Sequence, residues 1–297
     1  MPKLLTENQV AQYRDKGYIS PVRAFAEAQA RASRDLLEKH ERTHGLPDDR
    51  RRKMHLYLKW VDEIVHHPRI LDAVEDLVGP DILLYHLTLW LKEPRTDAFI
   101  SWHQDSTYFG LWPAAHVTAW VALSPSSLES GCVQVVPGSH LGGQAAHGQE
   151  KNAANMFATG QSLDVPADAP LDTLVLQPGE FSLHHTYLFH SSMPNRSDDR
   201  RIGLGISYIP TRCRCSSAVR LSTTLVRGTD RFGHFDLDPR PAADHDAAAL
   251  TVHANAMRRW KGAREELIPQ AHRRALAPAS VVARPDREVA RVGQAQC

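Results

Sequence analysis

The hydrophobic pattern changes period near residue 80. Before it, apolar positions recur as on helices. Residues 5–14, LTENQVAQYR, predict a helix that Thr6 caps, with Gln9 completing a capping box. Residues 22–42 are dense in Ala, Glu, Arg and Leu, which favour helix. HGLPDDRRRK (44–53) reads as a polar connector. Pro68 opens a further helix whose Ile70, Leu71, Val74, Leu77 and Val78 share one face, and Gly79-Pro80 ends it. From Asp81 the texture becomes short apolar or alternating runs: ILLYHLTLWL (82–91), HVTAWVAL (116–123), CVQVVPG (132–138), TLVLQPGE (173–180), FSLHHTYLFH (181–190) and IGLGISYIP (202–210). Such runs without βαβ alternation predict a mainly β sandwich or barrel with flanking helices. Residues 141–170 lack strand period and read as a lid or a loose loop. An Arg/Ser-rich loop, TRCRCSSAVR, precedes a helical segment around 245–275.

The expected organisation is one domain over 1–297. It has a helical cover (1–80), a β core (81–211), a loop and C-terminal helix (212–278) and a loose tail (279–297). An apolar fraction of 42% supports a sizeable core. A net charge of +1 gives no global electrostatic reason to expect nucleic acid or an acidic membrane as partner. No apolar run reaches the ~18 residues of a membrane span, and the N-terminus has no apolar core of a secretion signal. Cys132, Cys213, Cys215 and Cys297 do not form a disulfide framework. The expectation is a soluble, reducing, cytoplasmic protein, its oligomeric state open.

The chain holds 17 His and 34 acidic residues, so about two His-x-Asp/Glu triplets are expected by chance. Two occur, His103-Gln-Asp105 and His234-Phe-Asp236. Context separates them. Mononuclear iron commonly takes two His and one carboxylate on one face, leaving positions open for cosubstrate and oxygen. His103 and Asp105 lie between strand-like runs, where period-2 alternation would point both side chains inward. His190 ends a run 85 positions after Asp105, and Arg201 follows 11 positions later. A hairpin of that length would return its guanidinium to the barrel mouth, where it can grip a carboxylate through two parallel hydrogen bonds. The second triplet sits in a Gly/Pro-rich loop and reads as surface.

Three stretches then carry a resemblance: WHQDSTYF, TAWVALSPSSLESGCVQVVPGSH and GEFSLHHTYLFHSSMPNRSDDRR. In order and spacing they are similar to the phytanoyl-CoA dioxygenase family of Fe(II)- and 2-oxoglutarate-dependent oxygenases. The likeness covers roughly residues 80–210 and, more faintly, LTENQVAQYRDKGY at the N-terminus. It implies a double-stranded β-helix (a jelly roll, or cupin) and Fe(II), 2-oxoglutarate and O2 as cofactor and cosubstrates. His103, Asp105 and His190 match the iron ligands, and Arg201 matches the residue that pairs with the far carboxylate of 2-oxoglutarate. Ser192 matches a hydroxyl helping to bind that carboxylate. Gln104 and Trp120 match positions lining the cosubstrate, and Lys92 resembles a Lys found before the triplet at variable spacing. Relatives that halogenate carry a small residue where Asp105 stands, so the resemblance points away from halogenation. It implies hydroxylation of a small molecule, a polar metabolite or natural-product intermediate, with succinate and carbon dioxide released. Desaturation, cyclisation and epimerisation share the same ligands, and a non-redox metal-binding cupin would not need Arg201 or Ser192.

Tyr108, Phe109 and Trp112 are candidates for an apolar substrate wall, with rim packing the alternative. Of His184 and His185, one should face inward, and a bend near the metal leaves open which. Asn152 and Met156 are lid candidates in the long loop. Arg212 and Arg214 could hold an anionic substrate group or form a solvated basic edge. His140 reads as a turn-stabilising hydrogen bonder.

Overall fold

The computed structural model describes residues 1–149, 151–157 and 159–276; the expected tail at 279–297 lies outside them. Helix α1 (Glu7–Lys16) leads into β1 (Tyr18–Arg23), α2 (Glu27–His44), α3 (Lys59–Val65) and α4 (Pro68–Val78). Then follow β2 (Ile82–Lys92), β3 (Ile100–His103), β4 (Leu111–Trp112), β5 (Val117–Ala122), β6 (Val133–Val135), β7 (Gly148–Gln149) and β8 (Gln161–Ser162). The chain continues through β9 (Asp172–Leu174), β10 (Glu180–His185), β11 (His190–Ser192), β12 (Arg201–Pro210), β13 (Arg214–Cys215), β14 (Ser222–Arg227) and β15 (Asp236–Leu237) to α5 (Ala247–Leu276). The expected capping box is present: the Gln9 amide donates to Thr6 Oγ1, and the Thr6 amide donates to Gln9 Oε1.

Two sheets form a jelly roll. The larger has the order β1-β10-β5-β12-β2-β14-β15, and the smaller β3-β11-β6-β9. Two expectations need correction. The first 80 residues are not all helical, because YISPVR pairs antiparallel with β10 as an edge strand. Nor do the strands end at 211, because STTLVR pairs with β2. Both runs are short, so sheet partners far along the chain decide them.

Strand alternation gives the large sheet two unlike faces. Leu89 and Leu91 of β2, Ala119 and Val121 of β5, Phe181 and Leu183 of β10, and Ile202, Leu204 and Ile206 of β12 pack with α4 residues Ile70, Leu71 and Val74. The opposite face carries Trp90, Thr118, Trp120, His184 and Arg201, which line one cavity. Gly203 makes room there. It pairs across from Ala122, and a Cβ on it would stand 2.1 Å from the Trp120 ring. The IGLGI run therefore seats the Trp120 indole against β12.

The helices and sheet also bury imidazoles. Burial holds His55 and His86 well below the ordinary histidine range, His116 down to about 3 and His185 to about 4. An unfolded chain binds protons on these groups near pH 6.5, before the folded chain does. Stability is therefore expected to be full above about pH 6.5 and to fall as pH drops toward 4; urea midpoints at pH 7.5 and pH 5 should show the drop. Gly203→Ala should lower stability by about 1–3 kcal/mol through overpacking against Trp120, read as a shifted urea midpoint. An unchanged midpoint would show that the indole does not need this space.

Candidate functional site

Register builds the centre of the cavity. His190 of β11 pairs directly with His103 of β3, so the rings meet with centroids 3.9 Å apart. Asp105 does not arrive by strand alternation, contrary to the expectation. The strand ends at His103, and Asp105 opens a 3-10 turn, Asp105–Tyr108, that swings its carboxylate back toward both imidazoles. Asp105 Oδ1 lies 3.6 Å from Nε2 of His103 and 3.6 Å from Nε2 of His190. The three ligand atoms stand within 4.8 Å of one another.

Each imidazole is aimed by its own backbone. His103 Nδ1 donates to the Ser101 carbonyl at 2.9 Å, and His190 Nδ1 donates to the Leu188 carbonyl at 2.9 Å. That fixes the tautomer and leaves both Nε2 lone pairs facing the centre. Burial, then the neighbouring His190, lowers His103 to about 4, so it is a neutral donor at neutral pH. For Asp105 burial works the other way, but the surrounding imidazoles, His190 foremost, pull its pKa well below the carboxylate range. Its Oδ2 accepts from Thr118 Oγ1 at 2.6 Å. Thr118 has one proton and gives it to Asp105, so His116 Nε2, 3.0 Å away, must donate to Thr118. His116 Nδ1 then accepts from Thr186 Oγ1 at 2.9 Å. This chain, Thr186–His116–Thr118–Asp105, orients the carboxylate; the residues join from three strand ends and carry no local motif. Two imidazoles and an oriented carboxylate fit a divalent first-row metal, with coordination positions left over.

Arg201 lies in the same cavity and is 1% exposed. It is not the return arm of a hairpin. The chain crosses from β11 in the small sheet to β12 in the large one, which sets Arg201 opposite the metal-type triad. Its Nη1 donates to the Gly131 carbonyl at 2.8 Å, and its guanidinium carbon stands 5.1 Å from the Trp120 ring. Nε and Nη2 are buried without a partner. Burial lowers its pKa only to about 10, so the cation persists at neutral pH. A buried charge without its partner typically costs about 3–5 kcal/mol. The free edge fits the two oxygens of a carboxylate. Ser192 lines the cavity beside it. Its Oγ accepts from Lys92 Nζ at 2.7 Å, which leaves the hydroxyl proton for an anion. Lys92 stands behind: its ammonium also donates to the carbonyls of Ser192 and Met193. Burial, then Arg201, pulls its pKa down to about 6, while the three oxygen acceptors around Nζ favour the charged form.

Other candidates separate by side-chain direction. Gln104 is fully buried and faces away from the cavity, donating to the Gly143 and Tyr187 carbonyls and accepting from Gln144 and Ala145. It anchors the long loop, because it alternates with His103. His184 faces inward, as its pairing with Thr118 demands, and its Nε2 stands 3.3 Å from Asp105 Oδ2. His185 points to the far side, against His140 and Tyr13. His140 bonds the Arg14 carbonyl and ties its turn to α1. Tyr108 lies under Arg264 and Phe109 packs on Tyr85, His116 and Trp260, while Trp112 is 59% exposed. None of the three lines the triad cavity. Met156 is held by its backbone amide to Phe99. Its neighbour Phe157 reaches the site instead, edge-on to His103 at 4.5 Å and to Trp90 at 5.8 Å. Arg214 is exposed on β13, and Arg212 reaches the Val78 carbonyl. Phe157, Trp90, Thr118 and His116 were missed; only the Gly-x-Gly of β12 hinted that large rings lie across it.

A profile of the family described as phytanoyl-CoA dioxygenase (PhyH) matches residues 1–203. The chain belongs to the phytanoyl-CoA dioxygenase family. The peroxisomal phytanoyl-CoA dioxygenase of Rattus norvegicus is 31% identical to this family member over 153 residues, 50% of this chain and 45% of that protein. The chain spans about half the length of the curated relatives it matches. Among solved structures, the apo form of the non-heme monooxygenase ThoJ is 32% identical with a TM-score of 0.79, covering 88% of this chain and 99% of that one. CytC3 with Fe(II) and alpha-ketoglutarate, at 21% identity and a TM-score of 0.65 over 83% of this chain and 97% of that one, shares the fold. No helix among the described residues is long and apolar enough to cross a membrane.

If Thr118 orients Asp105 as a ligand, Thr118→Val should weaken divalent-metal binding about 10–100-fold. Calorimetric titration of the metal-stripped protein with Co(II) measures this, and equal affinities in both proteins would refute the orienting role.

Proposed function

We propose that this family member is an Fe(II)- and 2-oxoglutarate-dependent dioxygenase that hydroxylates a small molecule. The supporting observation is the buried, unpaired Nε/Nη2 edge of Arg201, opening on the cavity that holds His103, Asp105 and His190. A metal-binding cupin without this cosubstrate has no use for a buried cation at that place. Bound Fe(II), with 2-oxoglutarate and O2, supplies the oxidising equivalents, and succinate and carbon dioxide leave.

The chain's own residues do the remainder. The imidazoles of His103 and His190 and the Asp105 carboxylate hold the metal, their lone pairs directed by the Ser101 and Leu188 carbonyls and by Thr118. Arg201 anchors the far carboxylate of the cosubstrate side-on, and the Ser192 hydroxyl donates to it. Trp120 covers the guanidinium and Trp90 lies on the same wall, so both exclude water and strengthen the ion pair. Phe157, packed on His103, places the 150s loop at the cavity rim, where a substrate would enter. His184, buried beside Asp105, is a polar side chain on the cavity wall that a substrate would meet.

The test combines binding and turnover. The metal-loaded protein should bind 2-oxoglutarate calorimetrically and release succinate in an Fe(II)-dependent reaction. Arg201→Lys should raise the KM for 2-oxoglutarate at least tenfold, because an ammonium cannot reproduce the two parallel bonds. Metal affinity should stay as it was. The proposal fails if metal-loaded protein does not bind 2-oxoglutarate, or if Arg201→Lys leaves its binding unchanged.

A further inference from the structure

A second group of imidazoles stands where α2 meets the entry of α5. His40 and His44 are one helical turn apart, so they share a face of α2. His245 comes from the loop before α5. Its backbone sits in the left-handed region at φ 59, and its amide donates to the Tyr57 carbonyl at 2.9 Å. That conformation turns its ring into the face of α2. The His44 and His245 centroids are 4.0 Å apart, those of His40 and His245 4.9 Å. His40 Nδ1 and His245 Nε2 approach to 3.1 Å, and one ligand nitrogen from each of the three rings lies within 4.8 Å of the others.

Packing alone does not account for this arrangement. His40 is 7% exposed, and its second nitrogen, Nε2, is buried without a partner. Three imidazoles are a donor set that late divalent first-row ions prefer. Tetrahedral zinc with bonds near 2.0–2.1 Å separates its ligand nitrogens by on the order of 3.3 Å, close to the approach of His40 and His245. Asp244 adds a negative charge beside both His40 and His245, with its Oδ1 oriented by the Lys59 amide at 2.6 Å. His44 is exposed and His245 half-buried, which gives an ion a way in and leaves a fourth position to water.

We propose that His40, His44 and His245 form a second metal site, for a late divalent transition ion with Zn(II) foremost, that clips the end of α2 to the start of α5. The site stands apart from the His103/Asp105/His190 centre and does not depend on that centre's function.

The test uses the untagged full chain carrying His103→Ala and His190→Ala, stripped of metal and titrated with Zn(II) by calorimetry. One equivalent should bind and raise the melting temperature, since an ion held only by the folded chain stabilises it. Adding His44→Ala and His245→Ala should weaken binding at least tenfold and abolish the rise. Should the first pair of substitutions prevent folding, the otherwise native chain should bind two equivalents, falling to one with His44→Ala, an exposed position. Absence of saturable binding in the background lacking the first centre, or binding unaffected by loss of His44 and His245, overturns the site.

Discussion

The pairing of His190 with His103 across β11 and β3 is the contact on which the site depends. Two strands separated by most of the jelly roll meet in one register, and that register puts two imidazoles on one side of the small sheet. A slip of one residue would turn one ring to the other face and part the pair. The carbonyls of Ser101 and Leu188, each two residues before its histidine, then fix the same tautomer twice. Backbone geometry therefore aims the ligands, and only Asp105 needs side-chain help, from Thr118 and His116.

The large sheet supplies the opposite wall. Its helix-facing side is an apolar core, and its inner side carries a cation, two indoles and a hydroxyl. Such a division is possible because each strand alternates and because Gly203 lets an indole lie on its neighbour. Burying the Arg201 guanidinium with one edge free is unfavourable in isolation. The apolar core on the other face of the same sheet offsets it. The strain is thus placed where an anion can relieve it.

Much of this was legible beforehand. The helical first segment, its capping box, the strand-rich centre and the pair of sheets follow from local periodicity and turn residues. The triad and Arg201 stood out through order and spacing, and the structure brings all four to one cavity. Side-chain direction was less legible. Gln104 and His185 sit beside residues of the cavity in sequence yet face elsewhere, because strand parity redirects the side chains within one position. The strands Tyr18–Arg23 and Ser222–Arg227 escaped notice because their partners lie far along the chain.

By itself, then, the sequence determined which residue types carry the chemistry and which segments of the central β region form strands. Alternation and turn chemistry act over a few residues, and a single chain displays them. The tertiary structure alone decided that Phe157 packs on His103, that Thr118 and His116 hold Asp105, and that two helical histidines meet a third from a loop two hundred positions away. Those contacts join segments remote in sequence, and their distances arise only when sheet register and crossover direction are fixed together.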